Sequence, residues 1–240
     1  MAEQLTRINS ANAMIAGLSP DDLTLIRSLS TPVAFPPRHI LEHRNRTISA
    51  IYFLQSGLVS VVAVAAVTSA ELALVGREGM TGLNAVLGAD RSSFDYHALT
   101  PVTAHCIAID DFREVMRKSA PFTRSVLRFA NLTLEQIGQA LLTNAQGRVH
   151  ERIARWLVLA HERLDGDEIR ISHEVIAQLL GVRRAGVTEA LGRFDTLGLI
   201  SMARGCITIA DRARLIEVSN GHSDAPQGAR PEFDQITKNP

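Results

Sequence analysis

Between residues 33 and 109 the apolar positions come in short blocks, at 51–54, 58–64, 72–75 and 102–109. Gly57, Gly76, Gly79, Gly82 and Gly88 punctuate the chain around them. Short apolar or alternating blocks bounded by turn-formers predict strands. No long helical pattern separates the blocks, which favours an antiparallel sandwich or barrel over a parallel sheet alternating with helices. A small jelly-roll, a β-roll closed by its own turns, is the expected arrangement.

After Asp110 the period changes, and Pro121 opens a long helical stretch. Leu127, Leu134 and Leu141 recur at a seven-residue spacing, and Ala130, Ile137 and Asn144 form a second series offset by three. Together they make a heptad seam, which predicts a dimerisation helix with Asn144 fixing its register. The same spacing also suits an amphipathic helix packed on its own domain. Gly147 marks a hinge, because glycine weakens a helix. A further helix follows, with Ile153, Trp156, Leu157, Ala160 and Leu164 on one face, and stops near Asp165 and Gly166. From Ser219 onward the chain is polar, rich in Gly, Pro and Asn, and has no apolar face to bury, so it reads as a disordered tail. The expected class is α+β. It comprises a sensor roll over 1–110, a dimerisation helix with its linker over 111–146, a C-terminal domain over 147–218, and the tail over 219–240.

The segment ISHEVIAQLLGVRRAGVTEALGRFDTLGLI is the most specific in the chain. Ser172 is a good N-cap, and Glu174 in the first turn complements the positive end of the helix dipole. Ile176, Leu179 and Leu180 give that helix an apolar face. Ala177 permits a close neighbour, Gly181 supplies the turn and Val182 seals the corner. The next helix buries Val187, Leu191 and Phe194 and ends at Leu197, with Gly198 following as its C′ residue. That leaves Arg183, Arg184, Ala185, Thr188 and Glu189 outward, where the second helix of a helix-turn-helix meets base edges. Arginine can hold guanine bidentately and glutamate can accept from cytosine N4. Arg193 lies further along and suits a phosphate. Downstream, 199–202 and 206–209 flank Ala203, Arg204 and Gly205 as a β-hairpin, which makes the domain a winged helix-turn-helix with Arg204 at the wing tip.

Bulk properties narrow the picture only slightly. The chain has 240 residues, 46% of them hydrophobic, which suits two compact domains. Its 25 basic and 25 acidic residues cancel, so any DNA contact must come from a local basic surface. Cys106 and Cys206 stand far apart in apolar surroundings and predict buried thiols in a reducing compartment, not a disulfide. The start of the chain lacks a secretory pattern, and the apolar run at 58–67 is too short for a membrane helix, so a cytoplasmic protein is expected. A cupin-type metalloenzyme would need clustered ligands, and only His39 and His43 lie close in sequence. His97 and His105 fall in predicted strands. There is no phosphate loop and no nucleophile elbow. A β-roll acting on a protein partner is a third reading, against which the winged helix speaks.

The order of glycine-punctuated roll, heptad helix, hinge and winged helix resembles the Crp/Fnr superfamily of transcription regulators over about 18–218. The resemblance is most specific in AQLLGVRRAGVTEALGRFDTLGLI and RGCITI, and it extends to YFLQSGLVSV and ALVGREGMTGL. It implies a homodimer joined through the long helix and reading a two-fold symmetric site on double-stranded DNA, with RNA polymerase as a further partner. Arg184 matches the recognition-helix arginine of the cyclic-AMP-responsive members. Ala185 and Glu189 stand where those members carry a glutamate and a later arginine, which implies a different operator. Nucleotide-binding members use a Gly-Glu pair for the ribose and an Arg-Ser pair for the phosphate. Here Gly82 is followed by Leu83, while Arg91, Ser92 and Ser93 resemble the second half. Another small ligand, or none, is therefore expected in place of cyclic AMP. Two distant cysteines do not furnish the four ligands of an iron-sulfur cluster. Haem stays open, since eight histidines are available.

Overall fold

The computed structural model describes residues 12–66 and 68–219; all of the expected tail except Ser219 lies outside them. Two helices that the strand pattern did not announce come first, α1 (Ala13–Ala16) and α2 (Pro20–Leu29). The second begins on a compact local signal. The Ser19 hydroxyl accepts from the Asp22 amide, Pro20 takes the first helical position, and Asp21 and Asp22 occupy the first turn.

The roll follows as β1 (Ser30–Phe35), β2 (Ile40–Glu42), β3 (Ala50–Ser56), β4 (Val59–Val64), β5 (Ser69–Val75), a single-turn helix α3 (Leu83–Val86), β6 (Asp95–Ala98) and β7 (Val102–Ala108). Every pairing is antiparallel, in two sheets of order β1-β7-β3 and β2-β6-β4-β5. The α+β class and the antiparallel roll thus match expectation. Strands β2 and β6 escaped the sequence pattern because Glu42, Asp95 and His97 break their apolar runs. Inside the roll, Phe53, Phe112 and Phe122 form a ring cluster with centroids 5.8–6.3 Å apart.

The expected long helix opens with Pro121 in its first turn, as the pattern predicts, and a separate shorter helix precedes it. Helix α4 (Ile109–Lys118) ends at Ser119, whose hydroxyl caps α5 (Ala120–Gln146) by accepting from the Phe122 amide. Helix α5 buries Phe122, Val126, Phe129, Ala130 and Thr133 against its own roll, and Ile137 packs on the same core. The heptad seam therefore divides. Ala130 and Ile137 serve the monomer, Asn144 is exposed, and only Leu127, Leu134 and Leu141 point outward, joined by Leu142. A seven-residue repeat registers apolar positions without saying which of two neighbours covers them.

The C-terminal half comprises α6 (Val149–Arg163), β8 (Glu168–Ile169), α7 (His173–Leu180), α8 (Arg184–Thr196), β9 (Ile200–Ala203), β10 (Cys206–Ile209) and α9 (Arg212–Ser219). Its core gathers Trp156, Leu157, Ile176, Val187, Leu191 and Phe194, and the roll contributes Leu58 and Leu74 to the same cluster. The joint is polar as well. Arg163 is 3% exposed; its Nε lies 2.8 Å from Glu78 Oε1 and donates to the Leu74 carbonyl at 3.1 Å, while Nη2 donates to Gln136 Oε1 at 3.2 Å. Gly76 allows this approach, since a Cβ there would sit 2.6 Å from Arg163 Cβ. Removing one partner of a desolvated ion pair strands the other charge. Glu78→Ala is expected to lower the unfolding free energy by about 3–5 kcal/mol in urea denaturation.

Candidate nucleic-acid interface and effector cassette

The reading head is built from two short helices and a turn. Ser172 Oγ accepts from the Val175 amide to start α7, and Gly181 ends it in the left-handed region at φ 61°. Val182 N–H then donates to the Ala177 carbonyl at 3.0 Å, folding the chain back tightly. Val187 and Leu191 are fully buried and Phe194 is nearly so, which fixes the rotation of α8 about its axis. Arg183, its N-cap residue, and Arg184, Ala185, Thr188, Glu189 and Arg193 are all exposed.

Strands β9 and β10 pair from Ile200↔Ile209 to Ala203↔Cys206, leaving Arg204 and Gly205 as the wing turn, and β8 adds a third strand through Ile169↔Ile207. An open cleft of about 440 Å³ separates the wing from the helices, and Ser172, His173, Glu174, Arg184, Arg204 and Cys206 help to line it. Two contacts there had no sequence signal. His173 Nδ1 lies 3.0 Å from Thr188 Oγ1, and Arg184 Nε is 3.9 Å from Glu174 Oε2. Cys106 and Cys206 are half-buried where burial was expected, because each sits at a strand position open on one side.

In the roll, Gly82 caps α3 and Leu83 is buried, its amide donating to the Tyr96 hydroxyl at 3.3 Å. Ser93 is tied to Asn84, its amide donating to Oδ1 at 3.0 Å and its hydroxyl accepting from Nδ2 at 3.1 Å. Ser92 donates to the Phe94 carbonyl, and Arg91 reaches the Asn45 carbonyl at the surface. The fold therefore brings Ser92 and Ser93 beside α3, while the Arg91 guanidinium turns to a neighbouring loop.

The carboxylate present near this spot is Glu42, on β2. It is 7% exposed, and donors stand near it at Ser92, Gly82 and Thr81 without reaching good hydrogen-bond geometry. Burial pushes its pKa from 4.5 up to about 7, against the weaker opposite pull of the Ser92 hydroxyl, the Gly82 amide and the Thr81 hydroxyl. Burial, followed by the charge on Glu42, also raises the Tyr96 phenol. A glutamate following the apolar pair Ile40-Leu41 was the one available sequence clue.

Family comparison agrees with both halves. The Cyclic nucleotide-binding domain family model matches residues 32–119, and the Crp-like helix-turn-helix domain matches 151–218. The chain belongs to the Crp/Fnr superfamily. Among similar proteins, the Global nitrogen regulator of Nostoc sp. is 26% identical over 193 residues, spanning 73% of this chain and 86% of the relative. The CRP-like cAMP-activated global transcriptional regulator of Mycobacterium tuberculosis is 24% identical over 207 residues, 83% of this chain and 92% of that one. The solved structure of FixK2 from Bradyrhizobium japonicum superimposes with a TM-score of 0.70 at 16% identity, covering 81% of this chain and 99% of its own. As a Crp/Fnr protein, the chain is a DNA-binding transcription regulator with a cyclic-nucleotide-binding-type domain.

The roll of this Crp/Fnr regulator titrates from within. Glu42 binds its proton more tightly in the folded protein than in the unfolded chain, so it supports the fold fully below about pH 4.5. That support is lost as pH rises toward about 7 and stays lost above it. Glu42→Gln is expected to gain about 3 kcal/mol on the parent between pH 4 and pH 8 in urea denaturation. A residual slope should remain, because desolvation raises Glu71 into the same window, to about 7.

Proposed function

We propose that this protein is a homodimeric, sequence-specific regulator whose α8 enters the DNA major groove and whose roll senses a small ligand other than cyclic AMP. The observation that carries the reading is the division of α8. Val187, Leu191 and Phe194 anchor one face in the core, while Arg183, Arg184, Ala185, Thr188 and Glu189 are exposed on the other. Arg183 and Arg184 suit guanine edges, Glu189 suits cytosine N4, and Arg193, Arg204 and the N-terminal turn of α7 at Ser172 suit phosphates. Ala185 and Glu189 point to an operator unlike that of the cyclic-AMP-responsive members.

Homodimerisation runs along α5. Leu127, Leu134 and Leu141 form one stripe with Leu142 at its flank, and all four are 46–72% exposed. Monomeric proteins seldom leave such a row in water. Two chains joined there present two recognition helices to a two-fold symmetric operator. Against cyclic AMP stands Leu83, which has no side-chain acceptor for a ribose hydroxyl. Occupation of the roll repacks the paired α5 helices and so changes the spacing of the two recognition helices, provided the ligand prefers one arrangement. Contact with RNA polymerase converts operator occupancy into transcriptional output. The place of action is the cytoplasm, where the operator DNA lies.

Genome-wide mapping of bound DNA should return a symmetric motif with half-sites about one helical turn apart; scattered, non-symmetric binding would overturn the reading. Combining Arg183→Ala with Arg184→Ala should weaken specific binding by at least ~10-fold, since each bidentate pair discriminates by about 1–3 kcal/mol. Unchanged affinity would remove α8 from the interface. Leu134→Asp should sediment as a monomer at micromolar concentration where the parent is a dimer.

A further inference from the structure

A second cleft lies where the two halves of the chain meet. Its walls are Glu71 from β5, Gln136, Thr143 and Asn144 from α5, and Arg152, Arg155 and Trp156 from α6, with Leu180 at the end of α7. At ~100° per residue, Gln136, Ala140 and Thr143 fall on the side of α5 opposite Leu127, Leu134 and Leu141. Pairing along the leucine stripe therefore leaves this cleft open. The space within it for the centres of water-sized molecules is about 40 Å³. A single water needs ~10–15 Å³ by that measure, so the cleft has room for several waters or one small oxyanion group.

Its chemistry is one-sided. Among the described residues neither Arg152 nor Arg155 comes within ion-pair distance of a carboxylate, whereas Arg163 on the same helix is answered by Glu78. Arg155 Nη1 donates to Thr143 Oγ1 at 3.0 Å, and Arg152 Nη2 donates to the Leu180 carbonyl. Arg152 Nε and Trp156 Nε1 are buried with no acceptor, and Trp156 is 2% exposed. The indole N–H faces Glu71 without reaching hydrogen-bond geometry, and Glu71 Oε2 already accepts from Ser60 at 2.6 Å. Burial depresses both guanidiniums and raises Glu71 to about 7, so near neutrality the cleft carries two cations against a partly protonated acid.

Desolvated cations and orphaned donors are costly unless an acceptor completes them. A carboxylate or phosphate supplies paired acceptors that match the guanidinium fork. We propose that this interdomain cleft binds a small anion carrying a carboxylate or phosphate group, held by Arg152, Arg155 and the Trp156 indole N–H. The site is separate from the Gly82–Ser93 cassette. Because β5, α5, α6 and α7 all line it, its occupant bridges the roll and the winged helix across the Gly147 hinge.

The test is thermal unfolding of the full, DNA-free chain at matched ionic strength in chloride, inorganic phosphate or acetate, which makes it independent of the α8 contacts. A saturable rise of at least ~2 °C above chloride at 20 mM anion is expected in phosphate, acetate or both, and the responding arm identifies the class. Arg152→Gln should abolish the rise. Asn144→Asp, at an exposed rim position, should diminish it by placing a carboxylate beside the anion, and it keeps the test valid where Arg152→Gln fails to fold. No rise above chloride in either anion, or an undiminished rise in Asn144→Asp and in any folded Arg152→Gln, overturns the site.

Discussion

Arg163 is a charge withdrawn from water, and the two halves of the molecule are arranged around keeping it paired. It stands at the last turn of α6, yet its partners come from the roll, at Glu78 and the Leu74 carbonyl, and from α5, at Gln136. A buried ion pair contributes little net stability compared with an apolar replacement, but losing half of it is severe. Such a pair therefore specifies one docking geometry more than it strengthens it. Leu58 and Leu74 supply the apolar part of the same joint by entering the winged-helix core. The orientation of α8 relative to the roll follows from these few groups.

The output side was legible in the sequence because its constraints are local. An N-cap at Ser172, a left-handed Gly181, a small Ala177 and the Val187, Leu191, Phe194 spacing are all consequences of neighbours within one or two turns. Periodicity alone rotates such a helix correctly, so its exposed face could be assigned before any tertiary contact was known. The strand blocks at 51–54, 58–64, 72–75 and 102–109 were legible for the same reason. In the roll, β1 and the strands β2 and β6, interrupted by Glu42, Asp95 and His97, fell below the pattern.

The input side was not legible, because its groups are assembled from distant segments. Glu42 reaches the neighbourhood of Gly82 and Ser92 only through the pairing of β2 with β6. Arg152, Arg155, Trp156 and Glu71 meet only when α6 docks on β5. The heptad seam illustrates the same limit. Ala130, Ile137 and Asn144 carry the correct period, but two are claimed by the roll and the third turns toward the interdomain cleft. A repeat records how often a helix meets something apolar, and only the fold shows what it meets.

The outward leucines of α5 carry a consequence for the life of the polypeptide. A protomer newly released from the ribosome holds a finished roll and a complete reading head, yet Leu141 is still 72% exposed. On the proposed pairing of two chains along α5, folding and sticking compete for that surface until a second copy covers it. A chain whose stability depends on self-association gains it with the logarithm of its own concentration. Scarcity would then leave a population that is folded in each part, unable to grip a symmetric operator and open to proteolysis, so that gene dosage itself becomes one of the signals the regulator reports.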